Sequence, residues 1–164
     1  MPTPRRRDVI DESKVGAYHC YTRCVRSSFL LGEDPQRGLD CEHRRVWIDK
    51  RLEALASVFG IDVLDHTVMD NHLHVILRNR PDVVAEWSDQ EVVRRWFRLN
   101  ISKLELGPPP EDRLVKAACE TPKLIARLRK QLSSISWFFS YLKTPIARLA
   151  NEHDGVWGHF WGHI

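Results

Sequence analysis

The sequence predicts an α+β fold, a small antiparallel sheet with helices on one face. Three observations carry this. Two β-like runs, 61–69 and 72–79, are separated only by Asp70-Asn71, and an aromatic, β-compatible run covers 17–26. Apolar residues after position 88 recur mainly at helical spacing. The 164 residues suffice for one domain, read as 1–164 with a helical excursion around 82–133. With 43% hydrophobic and 29% charged residues, an extended disordered polymer is excluded. No run of 18 apolar residues offers a membrane span. The basic start, Met1-Pro-Thr-Pro-Arg-Arg-Arg-Asp8, leads into no apolar stretch, so no secretory signal is expected. Four cysteines are too few for a disulfide scaffold, and the expected location is cytoplasmic.

The elements follow in order. The first strand is 17–26, and Gly32, Pro35 and Gly38 make 32–40 a loop. Asp40 is a plausible cap for a helix with apolar positions Ile48, Leu52, Leu55, Ala56 and Phe59. Gly60 suits the left-handed position beyond its end. The Asp70-Asn71 pair suggests a hairpin between the next two strands. Ser88-Asp-Gln-Glu91 is a capping box opening a helix through Val92, Trp96 and Leu99. Gly107-Pro-Pro-Pro110 is a break. Thr121-Pro122 then fits cap and first-turn proline for a helix along Leu124, Ile125, Leu128 and Leu132. A last helix from about Ser134 is expected to kink or end at Pro145. The final ten residues are aromatic and glycine-rich, with no helical period.

The chemistry concentrates at Met69-Asp-Asn-His72-Leu73-His74-Val-Ile-Leu77. On a strand, His72, His74 and Ile76 share one face while Leu73, Val75 and Leu77 share the other. The two imidazoles then stand roughly 7 Å apart along the strand, close enough to converge on one divalent cation. Two partly exposed histidines making ordinary hydrogen bonds is the plainer alternative. Ile76 at the third alternating position speaks against a three-histidine nucleotide hydrolase. Cys20, Cys24, Cys41 and Cys119 lack the paired spacing of a zinc ribbon. Charge is segregated: residues 113–150 carry eight Lys/Arg against one acid. Arg23, Arg26, Arg127 and Lys130 are the candidate contacts to a nucleic-acid backbone, the last two three apart on one helical face.

The frame Met-x-Asn-His-hydrophobic-His resembles the HUH element of single-tyrosine transposases, the insertion-sequence and REP-associated tyrosine transposases. Tyr18-His19-Cys20-Tyr21-Thr22-Arg23-Cys24 resembles that family's first strand. Asn151, Gly155 and Gly158-His-Phe-Trp161 resemble its stretch before the last strand. The resemblance implies a ferredoxin-like palm and a divalent metal, magnesium or manganese, held by His72, His74 and a third polar ligand. It implies single-stranded or hairpin DNA as partner, in monomers or homodimers depending on branch. The activity implied is single-strand cleavage and strand transfer in DNA transposition through a 5′-phosphotyrosine link. The family's nucleophile lies on a late helix, in a Tyr-x-x-x-Asn pattern, after one more strand. No tyrosine follows Tyr141, and Tyr141-Leu-Lys-Thr-Pro145 has no asparagine four residues on. The expectation is therefore a truncated copy with no catalytic tyrosine, an open sheet edge and exposed aromatics at Trp157, Phe160 and Trp161. Two other readings stay open: a non-catalytic DNA-binding remnant, and an unrelated metalloprotein using the same histidine pair.

Overall fold

Three strands, β1 (Gly16–Arg23), β4 (Ile61–Val68) and β5 (His72–Asn79), form an antiparallel sheet in the order β1-β5-β4. The structure, a computed structural model, describes residues 10–25 and 28–162. The expected hairpin joins β4 to β5, closed by Met69 N–H on the His72 carbonyl at 2.8 Å. A bulge between Val63 and Asp65 turns Leu64 outward. The expected 32–40 loop holds a two-residue ladder, β2 (Glu33–Asp34) with β3 (Leu39–Asp40). Burial pushes the Asp34 carboxyl up, but bonds from the Gln36 N–H and from Arg37 outweigh it and hold the group below the usual carboxylate range.

The helices are α1 (His43–Ala56), α2 (Pro81–Glu86), α3 (Asp89–Phe97), α4 (Asp112–Cys119), α5 (Pro122–Leu132) and α6 (Ile135–Asp154). The fold is α+β, as expected. Leu73, Val75 and Leu77 are fully buried from β5, against Ile48, Leu52 and Leu55 of α1 and Phe138, Leu142 and Ile146 of α6. Meanwhile α3, α4 and α5 pack on one another, and α2 packs on α5. The Ser88 hydroxyl accepts from Glu91 N–H at 3.1 Å, as the capping box requires. Thr121 and Ser134 occupy the N-cap positions of α5 and α6.

Three expectations need correction. Asp40 lies in β3, where its carboxylate accepts from Glu42 N–H at 2.9 Å, and Glu42 is the N-cap of α1. Gly60 is not among the glycines with positive φ. It is small because a Cβ there would meet Val84 Cγ2 at 2.1 Å, where α2 presses on the start of β4. Phe160 and Trp161 are buried, and of the three aromatics only Trp157 is exposed, at 93%. Trp161 makes a bridge to Cys24 and donates its indole N–H to the Lys143 carbonyl at 2.9 Å, which draws this segment in between β1 and α6.

Of the two outcomes expected at Pro145, a kink or an end, the helix does not end: α6 passes through the proline. A proline leaves the carbonyl four residues back without its helical partner. That carbonyl belongs to Tyr141, and it accepts instead from Arg51 Nε at 3.0 Å. Arg51 is fully buried and sends its other nitrogens to the carbonyls of Leu104 (2.9 Å) and Asn100 (2.8 Å). Burial, with no anionic partner in contact among the described residues, pulls its pKa down to about 10, with Tyr141 and Glu105 opposing. One arginine thus joins α1, α6 and the segment after α3.

Candidate metal and nucleic-acid face

The side of the sheet turned away from the helices carries the histidine pair. Alternation along β5 puts Leu73, Val75 and Leu77 in the core and leaves His72, His74, Ile76 and Arg78 on the opposite side. The register adds Arg23 opposite His72, Tyr21 opposite His74 and His19 opposite Ile76 from β1. From β4 it adds Thr67 opposite His74 and Asp65 opposite Ile76. Tyr21 is 52% exposed and Ile76 38%, so the described residues leave this face open.

His72 and His74 stand side by side, ring centroids 6.1 Å apart and planes 25° apart. The Tyr21 ring lies 6.0 Å from His74 at 22°, and His19 Nε2 lies 3.0 Å from His74 Nδ1. Among the described residues no group of three or more His, Cys, Asp or Glu is arranged to hold a metal ion. The residues present fit two nitrogen ligands of a divalent cation, which would keep water or phosphate oxygens at its remaining positions.

The other expected contacts are dispersed. Arg23 is exposed at the end of β1, beside the pair, while Arg26 lies outside the described residues. Arg127 and Lys130 are exposed on α5, in the helical layer, and are not brought to the histidines. Of the three tyrosines, Tyr18 pairs with Leu77 and turns to the core. Tyr141 packs against Phe59, Trp96 and Trp137 on the helical side, where burial raises its phenol pKa against a weaker opposing effect of Arg51. Only Tyr21 shares the face of the pair.

A groove of about 450 Å³ runs between α6 and residues 158–162. It is lined by Lys143, Arg148 and Asn151 among others, with no carboxylate among the described residues of its wall. Its floor continues to β1, since Gly162 N–H donates to the Arg23 carbonyl at 2.7 Å.

Sequence reasoning missed His19. It stands in the Tyr18-His19 pair but was given no role, because its approach to His74 depends on a register between strands some fifty residues apart. The alternation of β1 toward an open face is the one local signal that would have found it.

No protein-family model, no curated protein and no solved structure matches the chain. Among the described residues no helix is long and apolar enough to cross a membrane.

Proposed function

We propose that the open sheet face binds single-stranded DNA and sets one phosphodiester against a divalent cation, magnesium or manganese, held by His72 and His74. The setting is that of single-strand cleavage and transfer in DNA transposition, but none of the three tyrosines stands in the Tyr-x-x-x-Asn pattern of the nucleophile, so this copy is read as binding and positioning DNA without the attacking phenol. The observation that carries this is the placement of two imidazoles on one open face of a central strand, with a cation-bearing residue and an exposed aromatic beside them. The bound cation supplies Lewis-acid polarisation of the phosphodiester.

The chain's own residues do the rest. Leu73, buried between the two histidines, fixes both backbones against the core, so the rings are presented without a large ordering cost. Arg23 neutralises a neighbouring phosphate. Tyr21 gives an unpaired base a ring to stack on. Lys143 and Arg148 extend the positive track around the β1 edge.

The tyrosine placement also favours DNA binding without strand transfer: two phenols face the core or helical side, and the ring of the third lies along His74. A hairpin-ended single-stranded oligonucleotide separates this reading from transfer. Manganese-dependent binding alone is expected here, and manganese-dependent binding with a covalent protein–DNA adduct for transfer. Under either reading manganese-dependent binding should be lost in His72→Ala and His74→Ala, and with it any adduct. Metal binding with no DNA affinity would overturn both.

A further inference from the structure

His19 sits diagonally across the sheet from His74, within the reach of such neighbours. Its Nε2 is 3.0 Å from His74 Nδ1, with ring centroids 5.1 Å apart and planes within 21°. A centroid separation that exceeds the nitrogen contact by only about two ring radii means that the rings meet end-on and nearly coplanar. The contact is an in-plane hydrogen bond, and face-to-face stacking is excluded.

One of the two nitrogens carries the hydrogen, and the choice decides what His74 can do. With the hydrogen on His19 Nε2, His74 Nδ1 accepts and the neutral ring holds its own hydrogen on Nε2. With the hydrogen on His74 Nδ1, His19 accepts and Nε2 of His74 keeps a lone pair. Ligating histidines are commonly held in this second way, the outer ring nitrogen donating to a neighbour.

We propose that His19 is a positioning residue that accepts the Nδ1–H of His74, fixing the tautomer whose Nε2 lone pair is available to a divalent cation on the open face. The proposal rests on the histidine-pair reading above, but the tautomer is a property of the metal-free protein and stands or falls by itself. Tyr21 lies against the same ring and limits its rotation. A solvent-exposed neutral histidine side chain prefers its hydrogen on Nε2, so the opposite preference at His74 is a signature of the His19 contact.

Long-range proton–nitrogen correlation spectra of the metal-free full chain read the tautomer of each ring at a pH where the rings are neutral. Manganese titration of the same samples reads affinity. In the wild type His74 should carry its hydrogen on Nδ1. His19→Phe, which offers no acceptor, should move it to Nε2 and weaken manganese binding about 10–100-fold. His19→Gln, whose amide oxygen can accept, should keep the Nδ1 hydrogen and most of the affinity. A wild-type His74 with its hydrogen on Nε2, or a tautomer unchanged in His19→Phe, would overturn the proposal. A wild type that binds no manganese counts against the cation site alone, and the spectra still decide the role of His19.

Discussion

Arg44 is fully buried at the start of α1, with one nitrogen on the Phe29 carbonyl at 2.6 Å and another on the Asp154 carboxylate. Its guanidinium also lies over the Phe160 ring, 5.8 Å from the centroid. The pair joins the first turn of α1 to the last turn of α6. Removing one partner strands a charge in the interior, so Asp154→Ala should lower the unfolding free energy by about 3–5 kcal/mol in urea. His43, the neighbouring residue, lies between Trp47 and His153 at 4.7 and 4.6 Å. Burial, then the nearby His153 and Arg44, hold its pKa below the ordinary histidine value. The unfolded chain therefore binds more protons in that range. The contribution of His43 to stability is present above the ordinary value and is lost as pH falls toward the folded one. Urea midpoints should drop as pH falls below about 6.5, and His43→Leu should flatten the drop. Cys24, pushed up to about 12 chiefly by burial, should resist alkylation in the native state.

Among the elements, α6 depends most on a distant side chain. Arg51→Met would leave three part-buried carbonyls without this donor, an expected loss of about 3 kcal/mol. Arg51→Lys should not restore it, because a single ammonium cannot span acceptors on three segments. Equilibrium denaturation of the two variants checks both statements. This arginine also explains why α6 does not end at Pro145: the proline signal is local, and the donor that offsets it comes from α1. Elements with strong local signals were legible. They include the alternating β5, the hairpin at Asp70-Asn71, and the helix starts at Ser88, Thr121 and Ser134. Two short helices were not. In α2 and α4, six and eight residues are too few to establish an apolar period. The burial of Arg44 and Arg51 was equally hidden, since a charged residue at a helical position reads as solvent-facing until its partners are known.

For the molecule as a whole, the open sheet face and the helical layer are separate surfaces, and the candidate phosphate contacts divide between them. His72 and His74 were legible because alternation on one strand fixes their common face. The grouping of Arg23, and the separation of Arg127 and Lys130, follow from packing that the sequence does not display. Binding of a short single-stranded oligonucleotide should thus depend on Arg23. Arg23→Ala should reduce the slope of log affinity against log salt by about 0.7, while Arg127→Ala with Lys130→Ala should leave it nearly unchanged. The account turns on where a divalent cation settles. Manganese added to nitrogen-15-labelled protein broadens amide signals close to the ion. The account predicts broadening centred on residues 72–74 of β5, spreading to 19–23 and to Thr67, and abolished in His74→Ala. Broadening centred on the helical layer, or none at all, would contradict it.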